Sequence, residues 1–426
     1  MNEQWAAYQD SKAFADRVAT LYGAGEDVLA LQKARYGKLV ERFEARFGAQ
    51  KGGLCFFSAP GRTEIGGNHT DHNNGRVLAA AVDLDTIACV SATEDHTIVV
   101  DSEGFAPITV KLDNLDVREK DFGTTLALIR GTAGVMQEMG YKVGGFRATI
   151  SSSVLRGSGL SSSAAFEVLI AAILDGLYNG FIVDAKTRAV IAQKVENVYF
   201  GKPCGLMDQM ASSVGNIITI DFADPAHPDV EPVQVDFSQA GLALCILDSG
   251  ADHADLTDEY AAIPNECRAV AAVCGGEVLR DVPFETFIAN LPACRKQCGD
   301  RAVLRAFHIY ADNQRVARQV NALRAGDFET FLQLVNESGT SSWEYLQNVI
   351  PAGYKEHQEV AVTIAAAKHF LNGAGAVRVH GGGFAGTVQA FVPLEKLDAF
   401  KAEMEAILGA GKCHILSIRP EGGAVL

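Results

Sequence analysis

No Gly-Lys-Ser or Gly-Lys-Thr occurs in this 426-residue chain, so it lacks the loop with which P-loop enzymes hold nucleotide phosphates. No Gly-x-Ser-x-Gly elbow occurs either. His380-Gly381-Gly382-Gly383 imitates an esterase oxyanion segment but lies too near the C-terminus to precede such an elbow, which argues against a hydrolase. Basic residues are scarce, 37 against 52 acidic ones, and form no long block. The net charge of −15 disfavours nucleic acid and anionic membranes as partners. A phosphate ligand therefore has to be held by local geometry. Long apolar runs are missing too, since charges such as Glu167 and Asp175 interrupt them, and none spans a bilayer. The opening residues Met1-Asn2-Glu3-Gln4-Trp5 lack the bases and apolar core of a secretory leader. Nine scattered cysteines include no zinc-type double pair, Cys294 and Cys298 coming nearest. Reduced thiols and a cytoplasmic location are expected.

What is present supports sizeable cores: 48% hydrophobic and 21% charged residues. The length implies two domains or one large one. Amphipathic spacing predicts helices over 4–22 and 26–47, the second ended by Gly48. Strand-like runs follow at 53–58, 77–92, 97–100 and 106–111, then a helix over 124–139 and a strand over 146–154. A helix is expected at 166–177, and Asp184 opens another that continues to about Phe200. Residues 216–222 and 242–248 read as strands on either side of the Pro-rich stretch 224–228. That stretch is the expected boundary, giving an N-terminal extension over 1–50, one domain over 51–223 and another over 229–426. The second half reads as mainly helical until strands at 376–379 and 388–392, a helix at 394–408 and a last strand at 413–418.

Four segments carry more polar or glycine-rich detail than packing requires. The first is Gly157-Ser158-Gly159-Leu160-Ser161-Ser162-Ser163-Ala164-Ala165, between a strand and a helix. Glycines let the backbone approach a ligand, and the helix N-terminus adds partial positive charge, so this order builds a phosphate site. The second is the mixed donor and acceptor stretch Ala59 to Gly75, with Arg62, Glu64, Asn68, His69, Asp71 and His72, which suits a polyhydroxylated small molecule. The third is Gly201-Lys202-Pro203-Cys204-Gly205-Leu206-Met207-Asp208-Gln209, where Asp208 is either a helix cap or a catalytic group. The fourth is His380 to Gly386, whose glycines suggest close backbone approach.

Together the four resemble the galactokinases, within the superfamily that joins galactose, homoserine, mevalonate and phosphomevalonate kinases. The family signature Gly-Arg-x-Asn-Leu-Ile-Gly-Glu-His-Thr-Asp-Tyr-Asn-x-Gly is matched by Gly61-Arg62 and by Gly67 to Gly75 with substitutions. Gly-Leu-Ser-Ser-Ser-Ala stands at Gly159 to Ala164, Pro-Cys-Gly-x-Met-Asp-Gln at Pro203 to Gln209, and Gly-Gly-Gly-Phe-x-Gly at Gly381 to Gly386. Weaker similarity includes Tyr260, seven residues before Cys267, and His308, read as opening a helix. The resemblance runs from about residue 53 to the C-terminus and assigns no chemistry to the residues before it.

The resemblance implies an α/β and α+β two-domain fold. Its N-terminal domain would be like ribosomal protein S5 domain 2, with a left-handed crossover, and its C-terminal domain ferredoxin-like. The active site would lie in the cleft between them. It implies ATP as co-substrate on Gly157, Ser158, Gly159, Leu160, Ser161, Ser162 and Ser163, with Mg²⁺ held by Ser163 and Glu196. Asp208 would be the base for the anomeric hydroxyl of galactose, and Arg62 would keep it ionised and offset developing charge. Asn68, His69, Asp71, Gly205 and Tyr260 would form the sugar pocket. No nucleic acid or membrane partner is implied; the oligomeric state is left open, with a monomer favoured.

The chain departs from the family pattern at Glu64 (for Asn), Gly66 (for Ile), Asn68 (for Glu), His72 (for Tyr), Leu155 (for Pro) and His380 (for Thr). None of these removes the base, the arginine or the metal ligands. They cluster at the sugar and adenine ends, so they bear on substrate identity more than on reaction type. Galactose 1-phosphate formation is the leading expectation. The alternatives are a kinase for another sugar, such as an amino or N-acetyl galactose, and a non-catalytic sensor of galactose and ATP.

Overall fold

The computed structural model describes residues 2–48, 53–154, 159–251 and 256–426. Three helices open the chain: α1 (Glu3–Gln9), α2 (Lys12–Tyr22) and α3 (Glu26–Phe47). The single helix expected over 4–22 is broken because Ser11 acts as an N-cap, its hydroxyl accepting from the Phe14 N–H at 3.2 Å. Gly48, at φ 69°, ends α3 as expected.

The first sheet contains β1 (Cys55–Gly66), β2 (Arg76–Thr93), β3 (Thr97–Ser102), β4 (Ile108–Lys111), β5 (Gly145–Ser152), β6 (Ile217–Asp221) and β7 (Asp229–Val233). β3 and β5 are parallel, and the other pairs are antiparallel. Alternation places Phe56, Ile87 and Cys89 against Trp5, Phe14, Tyr36 and Phe43 of the N-terminal helices. The opposite face, with Phe57, Ala88 and Val90, packs on α4 (Thr125–Glu138) and α5 (Ser162–Tyr178). Burial of both faces explains why β2 reads as a near-continuous apolar run. α6 (Ala185–Lys194) is N-capped by Asp184 and runs into a π-helical turn over Val195–Tyr199, and α7 (Met207–Val214) follows.

The second sheet holds β8 (Leu242–Ala251), β9 (Ala376–Val379), β10 (Gly386–Pro393) and β11 (Cys413–Leu416). Between β8 and β9 come α8 (Thr257–Val273), α9 (Phe284–Ala289), α10 (Leu291–Cys298), α11 (Asp300–Ala325), α12 (Phe328–Ser341) and α13 (Glu359–Leu371). α14 (Leu397–Leu408) joins β10 to β11. The antiparallel order β11-β8-β10-β9 is the fourth, first, third and second strand of this layer, the ferredoxin-like arrangement.

Two features differ from the sequence reading. The stretch 224–228 does not separate the layers: β7, beyond it, pairs with β6, and a last strand, β12 (Ala424–Val425), returns to β1. Ile65, Leu78 and Val82 share one core with Leu244, Ile246, Val316, Phe331 and Phe391, so the two layers are joined by a common core. Strand β1 also runs on to Gly66 through what reads as loop, with register shifts after Pro60 and after Glu64. Such irregularities re-aim side chains. They put Arg62 and Glu64 at the junction of the layers.

Candidate active site

Arg62 and Asp208 meet where β1, the serine loop and α7 converge. Arg62 Nε donates to Asp208 Oδ1 at 2.8 Å and Nη2 to Oδ2 at 2.7 Å, a fork-on-fork pair. Arg62 Nη1 donates to the Gly159 carbonyl, and the Arg62 N–H donates to Leu160 O at 3.0 Å. This close approach needs Gly61, where a Cβ would stand 2.9 Å from Leu160 O. Asp208 lies in the first turn of α7. Burial pushes its carboxyl up, but Arg62, a Ser161 hydrogen bond and Lys202 outweigh that and hold it below the usual carboxylate range.

The serine loop arrives on the same spot. Gly159 (φ 70°) and Ser161 (φ 54°) take left-handed backbone, and α5 starts at Ser162. Ser161 does not cap the helix with its side chain, and its hydroxyl turns to Asp208 instead. The first N–H groups of this 17-residue helix therefore have no side-chain cap from Ser161, as an anion-binding helix N-terminus requires. Ser162 and Ser163 are half-buried in that first turn. Gly157 and Ser158, expected to bind phosphate, and Leu155 lie outside the described residues. His380, beside the loop, ties β1 to the second sheet: its ring nitrogens lie 3.0 Å from Thr63 Oγ1 and 2.9 Å from Thr387 Oγ1. A Cβ on Gly159 would be 3.1 Å from His380 Nδ1.

Glu196 sits on the π-helical turn, almost fully buried. Gln209 Nε2 bridges Glu196 Oε2 (2.7 Å) and Glu167 Oε2 (3.3 Å), while Lys202 Nζ stands 3.3 Å from Glu196 Oε1. Glu167 is one helical turn after Ser163 on α5, and its Oε1 is buried without a partner. Carboxylates from α5 and the π-turn thus converge on Gln209, and hard oxygens of this kind are what Mg²⁺ takes. Among the described residues no cluster of three or more His, Cys, Asp or Glu could cage a metal alone.

The other end of the cleft is built around Asp71, at the start of a short 3-10 turn after β1. The His72 N–H donates to Asp71 Oδ1 at 2.9 Å, and Oδ2 lies against the backbone of Gly205. His69 Nε2 pairs with Gly382 O at 3.0 Å, which makes Nε2 the protonated nitrogen and Nδ1 an acceptor. Nδ1 is buried without a partner. Burial and the neighbouring His72 push the His69 pKa down to about 4, so the ring is neutral near pH 7. Tyr260 leans on Gly382, donates to Gly383 O at 2.8 Å and meets Phe384 edge-on. Burial raises its pKa to about 12.

Asn68 does not do what the sequence reading expected. Its side chain is sealed from solvent, with Nδ2 donating to Glu64 Oε1 (3.1 Å) and Gly381 O (2.7 Å). Its Oδ1 accepts from Asn348 Nδ2 (2.8 Å) and Ser342 Oγ (3.2 Å). All four of its hydrogen-bonding positions are used within the chain, so it braces the pocket wall and has none left for a sugar. His308, read as opening a helix, lies inside α11, where its Nε2 donates to Asn68 O (3.0 Å) and its Nδ1 accepts from Ser341 Oγ (2.9 Å) in the same wall.

Sequence reasoning missed Lys202, whose charge reaches both Glu196 and Asp208, although it stands in the same motif. It also missed Arg378, fully buried on β9, which donates to Glu64 Oε1 and to Ile65 O (3.0 Å). No spacing rule links residues 64 and 378.

The galactokinase galactose-binding signature matches residues 41–92, and the GHMP kinase N-terminal domain matches residues 127–216. The chain is 30% identical to a galactokinase of Streptomyces coelicolor over 88% of this chain and 94% of that protein. It is 31% identical to one of Glaesserella parasuis over 84% and 90%. The chain belongs to the galactokinase family. The crystal structure of Lactococcus lactis galactokinase complexed with galactose superposes with TM-score 0.78 at 26% identity, covering 92% of this chain and all of that one. A mevalonate kinase structure at 17% identity and TM-score 0.61 shares the fold. The galactokinase match starts at residue 41, within α3, so the first two helices lie outside the signature region.

Proposed function

We propose that the chain phosphorylates galactose at its anomeric hydroxyl, forming galactose 1-phosphate and ADP from ATP. The observation that carries this reading is the Arg62–Asp208 pair, docked through Arg62 on the serine loop and continuous with the Asp71–His69 wall. ATP places its phosphates against the first turn of α5, where unpaired N–H groups and the helix dipole meet them. Ser163 and Glu196 would hold Mg²⁺, which would supply charge neutralisation for the phosphates. Asp71 accepts hydrogen bonds from sugar hydroxyls beside Gly205, and His69 Nδ1 accepts another.

The sugar hydroxyl oxygen then bonds to the γ-phosphorus, the bond to the ADP oxygen breaks, and the hydroxyl proton passes to Asp208. A carboxylate held below its ordinary range is a weak base, so it orients the hydroxyl first and takes the proton late. Arg62 stays beside the oxygen where charge shifts. No described helix is long and apolar enough to cross a membrane. We place the reaction in the cytoplasm.

Coupled detection of ADP with a panel of hexoses tests the reading. Galactose should give the highest kcat/KM. No ADP release with any sugar, despite sugar and ATP binding, would turn the assignment to a sensor. A preference for an amino or N-acetyl galactose would keep the kinase and change its substrate.

A further inference from the structure

Positions 64 and 68 have exchanged residue types relative to the family signature: the pattern has Asn then Glu, and this chain has Glu64 then Asn68. In the fold the two side chains are one hydrogen-bonded pair, Asn68 Nδ2 to Glu64 Oε1 at 3.1 Å. The exchange therefore conserves the composition of the pair, one carboxylate and one amide, while moving the charge by four residues. Asn68 is sealed and fully engaged, as described above. Glu64, itself almost fully buried, is not fully engaged: Oε1 accepts from Asn68 and the buried Arg378, whereas Oε2 accepts no hydrogen bond among the described residues. The Glu64 backbone is clamped as well, its carbonyl accepting from Gln389 Nε2 at 2.9 Å. Its carboxyl lies within electrostatic reach of both Arg62 and Asp71, between the reacting end of the cleft and the sugar wall.

We propose that Glu64 is the specificity-determining carboxylate of this sugar pocket, and that Asn68 is the neutral brace that orients it. The inference rests on the sugar-kinase reading given above. Glu64 Oε2 accepts a hydrogen bond from one substrate hydroxyl remote from the transferred phosphoryl group. Arg378 and Asn68 hold the other oxygen, so the carboxylate has one orientation. A second carboxylate at 68 would compete with Glu64 for Arg378 and would face the Gly381 carbonyl, to which Asn68 Nδ2 now donates at 2.7 Å.

The test is a swap cycle measured with galactose and with singly deoxygenated galactoses: wild type, Glu64→Gln, Glu64→Asn, Asn68→Glu and the double Glu64→Asn with Asn68→Glu. Glu64→Gln is nearly isosteric and should fold. It should raise KM for galactose roughly tenfold with a smaller change in kcat, as loss of a charge-assisted hydrogen bond predicts. One deoxy sugar should be a poor substrate for wild type yet lose nothing further in Glu64→Gln, because the partner hydroxyl is already gone. Asn68→Glu alone should raise KM or reduce soluble yield, and the double exchange should recover both to within a few-fold of wild type. The proposal is overturned if Glu64→Gln leaves KM unchanged for every sugar, or if Asn68→Glu alone improves KM. It is also overturned if the double variant is as impaired as the sum of the singles. Failure of wild type to phosphorylate any sugar would sink the kinase reading instead, and titration of galactose binding to the same variants would then decide the role of Glu64.

Discussion

Gly205 leaves room for the Asp71 carboxylate: a Cβ on residue 205 would stand 2.5 Å from Asp71 Oδ2. The glycine of one motif thus shapes the acid of another, 134 positions earlier in the chain. Gly205→Ala should push Asp71 off its sugar contact. KM for galactose should rise by roughly tenfold to a hundredfold, the size expected for misplacing a charge-assisted hydrogen bond. ATP affinity, measured by titration calorimetry, should hardly change. An unaltered KM would remove Asp71 from the sugar site.

Asp208→Ala should abolish turnover while leaving ATP binding largely intact. Positioned acid–base groups are worth about a hundredfold to ten-thousandfold, and the variant also loses the partner that orients Arg62. A kcat near the wild-type value in ADP-release kinetics would exclude Asp208 from the chemistry.

How much of this was legible in the letters varies with range. The serine loop, the fourth motif and the Asp208 segment each lie within a dozen residues, and local spacing located them. Their convergence was available only through family resemblance. β12 went unread because two residues, Ala424 and Val425, carry no period, and its partner Phe57 is more than 350 positions away. Asn68 was misassigned for a similar reason. Its ligands are Gly381, Ser342 and Asn348, and nothing near residue 68 announces that they will occupy it. The exchange at 64 and 68 was visible as two separate departures, and only the 3.1 Å contact makes them one.

Ser163→Ala should weaken productive Mg²⁺-ATP alignment, because one hydroxyl oxygen leaves the donor set proposed for the ion. The Mg²⁺ concentration giving half-maximal rate should rise several-fold at fixed ATP, with KM for galactose little changed. Unchanged Mg²⁺ dependence would move the role to Ser162 or leave it with Glu196 alone.

The pH profile follows from the direction of two shifts. Asp208 is held below the ordinary carboxylate range, so it stays ionised as pH falls through that range. The acid limb of kcat should therefore not appear above about pH 4, the ordinary carboxylate value. Glu64 is shifted the other way: burial raises its pKa, and Arg378 opposes this incompletely. Protonation of Glu64 should show first, as a rise in KM at a pH where kcat is still flat. Replacing Arg62 by Met removes the charge that holds Asp208 down, and the acid limb of the residual kcat should move to higher pH. A single limb common to kcat and kcat/KM in wild type would contradict this separation.

The N-terminal helices should prove to be part of the folded unit, because they are tied to the sheet by a buried charge. Asp85, fully buried on β2, accepts from Tyr22 Oη at 2.6 Å, Arg35 Nη2 at 2.6 Å and Arg419 Nη1 at 3.0 Å, and also from Ser58. One carboxylate thus joins α2, α3, β1, β2 and the C-terminal segment. Burial pushes Asp85 up, and the two guanidiniums together with the Ser58 and Tyr22 hydroxyls more than reverse it, so its pKa is lowered. A depressed pKa contributes stability above the ordinary carboxylate value, and that contribution is lost as pH falls through the folded-state value. Asp85→Ala leaves Arg419 buried and short of a counter-charge, which typically costs about 3–5 kcal/mol. Unfolding by urea at pH 7 should show a loss of that order, and the gap between variant and wild type should narrow in acid. Kinetic constants per folded molecule should stay close to wild type, since Asp85 is not among the groups that line the cleft. Equal stability of the two proteins at pH 7 would mean that the helices are held by the apolar contacts of Trp5, Phe14 and Tyr36 alone, with the ion cluster adding nothing net.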